Sequence, residues 1–158
     1  MLPGWVLGPL RPPVGPLGSV QVVQRLLSGT MPGVPRVGFE VVDVRDIADL
    51  HVRAMVEPAA AGERFLGTGP FLWQVEIAEI LRSRLGERAA RVPTQPIPDE
   101  LVRAAAATDP DLGTIVVNLG RRRIRSSAKA QRLLGWTVGD PADAIEASGR
   151  SLIELGLV

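Results

Sequence analysis

The stretch RVGFEVVDVRDIADLHVRAM, residues 36–55, changes its period half-way along, and that change decides the fold class. Val37, Phe39, Val41 and Val42 are β-branched or aromatic and read as a strand. From there on Ile47, Leu50 and Ala54 recur at helical spacing, and Asp46 is placed to cap that helix. A strand feeding directly into an amphipathic helix is the repeating unit of an α/β layer rather than of a bundle.

The neighbouring segments repeat the pattern. Upstream, MLPGWVLGPL (1–10) offers an apolar strand through Leu2, Trp5, Val6 and Leu7, broken by Gly8-Pro9. Gly8 to Gly18 is Pro/Gly-rich and reads as a loop, after which Ser19 can cap a short helix carrying Val20, Val23 and Leu27 and stopped by Gly29. A second Pro/Gly loop runs to about Pro35. Downstream, Pro58 and the run Ala59 to Gly62 end the first unit. ERFLGTG (63–69) then reads as a second buried strand with a glycine exit, and FLWQVEIAEILRSRL (71–85) as a helix through Trp73, Ile77, Ile80 and Leu81.

The last third is less regular. A helix is predicted to start near Pro98, with Asp99 and Glu100 in its first turn and Asp109-Pro110 closing it. RRIRSSAKAQRLLGW (122–136) reads as a short strand, a Ser126 or Ser127 cap, and a helix ending in Leu133-Leu134 before Gly135. The final helix has Asp140 as cap, Pro141 at its first position, and Ile145, Gly149 and Leu152 on one face, with Gly149 marking close backbone packing.

Composition narrows the functional classes. At 158 residues the chain can bury one core or parts of two. A net charge of +1 with 22% charged residues predicts no strong pull toward nucleic acid or a membrane surface. With Cys 0, disulfides, thiolate catalysis and cysteine metal sites are excluded together. Pro3, Gly4, Gly8 and Pro9 interrupt the opening apolar run and Arg11 follows it, which is not the pattern of a secretory signal. A soluble, cytoplasmic protein is expected. The 18 Lys+Arg include one lysine, Lys129, and with abundant Gly, Pro, Ala and Val this reads as coding bias before chemistry. His51, the only histidine, falls on a predicted helix and reads as an ordinary helical histidine. Asp43, Asp46 and Asp49 read as caps and a solvated face rather than a cation site, so no metal is expected. Arg121, Arg122, Arg123, Arg125, Lys129 and Arg132 read as a solvated edge, because they lack aromatic interleaving.

Taken in order, PGWVLGP (3–9), VVDVRDIADLHVRAM (41–55), GERFLGTG (62–69), SSAKAQRLLGW (126–136) and AIEASGRSLIELGLV (144–158) resemble the C-terminal half of extended short-chain dehydrogenase/reductases. The likeness is to the NAD-dependent epimerase/dehydratase group, near its dihydroflavonol-reductase-like and aldehyde-reductase-like members. It covers essentially the whole chain. The resemblance implies an α/β fold of partial Rossmann type, holding the last strands of a parallel sheet, joined to a small mixed α/β substrate-binding lobe. Residues 1–7 and 58–86 would be the remnant of the nucleotide-binding sheet; residues 8–57 and 87–158 would form the lobe.

The opening strand would then be the sixth of the dinucleotide-binding sheet, with the earlier part of the fold lying outside this sequence. The family's phosphate-binding GxxGxxG does not occur in the chain; Gly67 to Gly69 is a lone glycine turn. Nor does the catalytic Tyr-x-x-x-Lys, since the sequence has Tyr 0 and Lys129 lies in another motif. No catalytic residue is therefore assigned to this chain. Pro3, Gly4, Trp5 and Val6 match the segment whose backbone approaches the nicotinamide, and Ser19 matches a region that contacts the cofactor. Val44, Arg45 and Asp46 match a strand-to-helix corner near the substrate lobe, where a cap is the simpler role for Asp46. The implied cofactor is NAD or NADP, not expected to bind tightly to this chain alone. The implied partners are a carbonyl, alcohol or nucleotide-sugar substrate and a missing N-terminal half, with no nucleic acid and no membrane. Two other readings stay open: a non-catalytic ligand- or protein-binding module derived from the fold, and, more weakly, an arginine-rich nucleic-acid binder.

Overall fold

The computed structural model describes residues 1–11, 18–108 and 112–158. Its strands are β1 (Leu2–Pro3), β2 (Trp5–Leu7), β3 (Val34–Pro35), β4 (Gly38–Asp43), β5 (Leu66–Gly67), β6 (Phe71–Trp73) and β7 (Pro96–Ile97). Its helices are α1 (Val20–Ser28), α2 (Val44–Val56), α3 (Gln74–Leu85), α4 (Asp99–Ala106), α5 (Gly113–Asn118), α6 (Ala128–Leu134) and α7 (Pro141–Glu154). β1 pairs with β5 and β3 with β7, both in parallel. β4 is the middle of a three-stranded sheet, parallel to β2 and antiparallel to β6. The architecture is α/β with parallel pairing and a mixed sheet.

Alternation along β4 explains the layering. Successive side chains of a strand point to opposite faces. Val41 joins a core with Leu7, Val23, Leu26, Ile77, Leu81, Ile145 and Leu152, so α1, α3 and α7 cover that face. Val42 joins a second core with Ile47, Leu50, Phe65, Leu134 and Trp136, so α2 and α6 cover the other. Being buried on both faces is why this strand reads as a continuous apolar run rather than alternating.

Several starts and ends differ from the sequence reading, each for a local reason. α2 begins at Val44 and is capped by Asp43, not Asp46: the Asp43 carboxylate accepts the Arg45 N–H at 2.7 Å. Strand β4 runs into α2 with no loop between them, so the last strand residue is also the cap. Phe71–Trp73 is a strand rather than the start of a helix, because β4 presents it with a pairing edge. α3 then starts at Gln74, where the Glu76 carboxylate accepts the Trp73 N–H at 2.7 Å. The strand within ERFLGTG is confined to Leu66–Gly67. The segment before α6 is irregular rather than a strand, since the Arg125 N–H is taken by the Glu40 side chain instead of a neighbouring backbone.

Ser19 stands at the cap of α1 without capping it; its hydroxyl donates to the Val6 carbonyl. At α6 the two serines divide the work: Ser126 Oγ accepts the Ala128 N–H at 3.2 Å, while Ser127 Oγ donates to the Thr68 carbonyl at 3.0 Å. Asp140 does cap α7, accepting the Ala142 N–H at 2.9 Å with Pro141 following. Gly149 meets α3 closely, where an added Cβ would stand 2.7 Å from Leu85 Cδ1. The predicted closure at Asp109-Pro110 and most of the Gly8–Gly18 loop lie outside the described residues.

Candidate functional site

β1 and β2 are separated by Gly4, whose backbone passes close to its neighbours. An added Cβ there would stand 2.5 Å from the Glu40 carbonyl oxygen. Before this glycine β1 is hydrogen-bonded to the β5 side, through Leu2 N–H to the Phe65 carbonyl at 2.9 Å and Gly4 N–H to the Gly67 carbonyl at 2.8 Å, and after it β2 pairs with β4. A cavity of about 520 Å³ opens at this fork.

Pro3, Gly4 and Trp5 form one side of the cavity, with Leu2 and Leu66 beside them. Phe39 and Glu40 of β4 and Phe71 of β6 form the back, and Asn118, Arg121, Arg123 and Arg125 close the far side. Trp5 lies flat on Phe39, with ring centroids 4.3 Å apart and planes 16° from parallel. Arg122 sits above the Phe71 ring, 5.6 Å from its centroid. The structure thus brings together Pro3, Gly4 and Trp5 of the cofactor candidates. Val6 and Ser19 do not line the cavity; Val6 packs toward the Trp136 core and Ser19 bonds its carbonyl.

Val44, Arg45 and Asp46 stand apart from the cavity at the start of α2. Arg45 forms a 2.6 Å ion pair with Asp43. That hydrogen bond and charge hold the Arg45 guanidinium above its ordinary value. Burial pushes the Asp43 carboxyl up, but the side-chain and backbone hydrogen bonds from Arg45 outweigh it and leave Asp43 below the usual carboxylate range. Asp46 joins α2 to the segment after α6: its carboxylate accepts the Gly139 N–H at 2.8 Å and its carbonyl accepts the Trp136 indole N–H at 2.8 Å. Asp49 pairs with Arg53, and His51 Nδ1 lies 2.8 Å from the Ile47 carbonyl of its own helix. Among the described residues no group of three histidines or carboxylates is assembled that could hold a metal ion.

The sequence reading missed Glu40. It is 5% exposed, and its carboxylate accepts both the backbone N–H and the guanidinium of Arg125. The signal was legible: one acid inside the apolar run GFEVV requires a charged partner when buried, and the run RRRIR is the obvious supply. The basic segment is exposed, as read, but three of its arginines are directed to one cavity.

The residues fit only one end of a dinucleotide. The cavity offers the Pro3–Trp5 backbone to one end of such a molecule, but the sequence has no glycine cradle for a diphosphate.

The class of fold is an α/β arrangement of partial Rossmann type, and comparison with known proteins agrees. No protein-family profile matches the chain. Ketoreductase azaE of Aspergillus niger is 26% identical over 159 residues, spanning 96% of this chain and 42% of azaE. Among solved structures, a nucleoside-diphosphate-sugar epimerase from Pseudomonas aeruginosa superimposes with a TM-score of 0.74 at 25% identity, over 98% of this chain and 47% of that one. Yeast methylglyoxal/isovaleraldehyde reductase Gre2, complexed with NADPH, does so with a TM-score of 0.72 at 18% identity, over 99% of this chain and 43% of Gre2. The chain therefore spans less than half the length of these relatives. Its likeness is to the C-terminal half of the extended short-chain dehydrogenase/reductases, the NAD-dependent epimerase/dehydratase group. Among the described residues no helix is long and apolar enough to cross a membrane.

Proposed function

We propose that the chain is the substrate-side portion of an NAD(P)-dependent reductase or epimerase acting on a carbonyl or alcohol carbon. In this reading residues 1–7 and 58–86 continue a nucleotide-binding sheet, and residues 8–57 and 87–158 form the substrate lobe. The observation that carries it is the cavity at the β1/β2 fork, where Pro3, Gly4 and the Trp5–Phe39 stack share one lining with Phe71 and the arginine segment. Pro3 to Trp5 would present backbone to the nicotinamide, while Val6 packs away from the cavity and Ser19 would hold its carbonyl in place through its hydroxyl. Val44, Arg45 and Asp46 would shape the lobe from behind, by fastening α2. The bound cofactor, NAD or NADP, would supply hydride transfer. The acid/base tyrosine and the diphosphate cradle would come from a further half, so the chain alone is expected to bind cofactor weakly and to turn nothing over.

The test is a chimera that joins the N-terminal portion of ketoreductase azaE to this chain, assayed for oxidation of reduced nicotinamide against a panel of carbonyl compounds. Turnover that falls when Trp5 is replaced by alanine supports the reading. A folded chimera that binds NADPH yet reduces nothing favours the second reading, a ligand-binding module that kept the cavity without the chemistry.

A further inference from the structure

The cavity is chemically lopsided. Its charged lining is Glu40, Arg121, Arg123 and Arg125, and Glu40 is consumed by Arg125. Arg121 and Arg123 have no ion-pair partner among the described residues, which therefore leave two guanidinium charges of the lining uncompensated. Opposite them the wall is apolar and flat: Leu2, Pro3 and the Trp5–Phe39 stack.

The segment that carries these exposed charges is fastened at Arg125. Glu40 holds the backbone of Arg125, and Thr68 Oγ donates to the Arg125 carbonyl at 3.5 Å. Arg122 is held over Phe71, just outside the cavity lining. Arg121 and Arg123, on either side of it, are exposed and line the cavity. A guanidinium fork matches the two oxygens of a carboxylate or phosphate.

We propose that the substrate of this site carries an oxyanion, a carboxylate or phosphate, on a flat apolar body. The anion is gripped by Arg121 and Arg123, and the body lies against the Trp5–Phe39 wall. As a statement about a substrate this rests on the reductase reading; as a binding site it stands without cofactor. Neither a simple neutral ketone nor an aldehyde would use the two arginines.

The test is calorimetric titration of the full chain with 2-naphthoate, 2-naphthyl phosphate and the neutral 2-naphthamide, with no cofactor present. At least one anion is expected to bind about tenfold or more tightly than the amide, as charge-assisted hydrogen bonds imply. Which anion binds better decides between carboxylate and phosphate. Replacing both arginines, Arg121→Gln with Arg123→Gln, should bring the anion down to the amide's affinity, while Arg132→Gln on α6 leaves it unchanged; melting curves confirm that each variant folds. Equal affinity for anion and amide overturns the proposal. So does an absence of binding, or an anion preference that survives in the double variant. Anion binding through the two arginines beside an inactive chimera would leave the oxyanion site standing and remove the reductase reading. An active chimera indifferent to both arginines would do the reverse.

Discussion

Replacing Ser148 by alanine should be among the most damaging small changes in the molecule. Ser148 is fully buried on α7, and its hydroxyl serves Gly8 twice, accepting the N–H at 2.8 Å and donating to the C=O at 2.9 Å. Gly8 is where β2 ends, in a φ of 137° that a side chain rarely adopts, with Val44 so near that an added Cβ would stand 2.7 Å from its Cγ1. The exit of the Trp5 strand is thus held by a residue 140 positions away. Alanine removes one hydroxyl and strands two buried backbone groups. Each such group costs about 1–3 kcal/mol, so with incomplete additivity a loss of about 2–4 kcal/mol is expected. Ser151→Ala is the internal control: its hydroxyl accepts one N–H, from Leu10 at 3.1 Å in a half-buried setting, worth about 0.5–1.5 kcal/mol. Urea unfolding of the three proteins at a common slope reads the difference. A Ser148→Ala loss below about 1 kcal/mol, or one no larger than that of Ser151→Ala, refutes the idea that this contact fastens the fork.

Two further outcomes follow from the fold. Gly69→Ala should destabilise strongly, since the new Cβ would stand 1.9 Å from the Val41 carbonyl oxygen and the middle strand β4 must move to admit it. A loss of about 3 kcal/mol corresponds to a fall in Tm of about 6–12 °C, and an unchanged Tm would contradict the close approach. The acid dependence of Asp43 has a definite sign. Its carboxyl lies below the ordinary value in the folded state because the Arg45 hydrogen bonds outweigh burial, so its contribution is present above the unfolded value of about 3.9 and is lost as pH falls through the folded one. The stability gap between the parent and Asp43→Asn is therefore widest near neutral pH and closes on acidification; a gap independent of pH would remove the ion pair from the account.

The elements legible in the sequence are those in which one local signal dominates. Val37 to Val42 and the Ile47, Leu50, Ala54 face gave β4 and α2 because burial on both faces of the sheet leaves little room for other residue types. Asp140-Pro141 marked the start of α7 because cap and first-turn chemistry coincide there. Illegible were the places where a distant partner decides. Phe71–Trp73 has an apolar pattern that suits helix or strand, and only the free edge of β4 selects the strand. Asp43 and Asp46 are both able to cap, and the choice depends on β4 ending without a loop. The cavity was half visible: its Pro3–Trp5 side could be named from the chain start, whereas Phe39, Phe71 and Asn118 carry no local mark of proximity to it.

Glu40 is where fold and site diverge in their demands. For the sheet alone an apolar residue at that position would serve better, since a buried carboxylate is costly and a buried ion pair rarely improves on good packing. Glu40 is retained among Phe39, Val41 and Val42 at 5% exposure, and both of its oxygens are committed to Arg125. The consequence falls on the neighbours. With its N–H bound to a side chain, Arg125 does not extend a strand along the sheet, and residues 121–127 run irregularly beside the cavity. From this irregular segment Arg121 and Arg123 line the same cavity as Arg125. Glu40 is thus the positioning residue of the site: its replacement by glutamine keeps an acceptor for the Arg125 N–H, but weakens the hold on the guanidinium and loosens the segment that carries the two free charges.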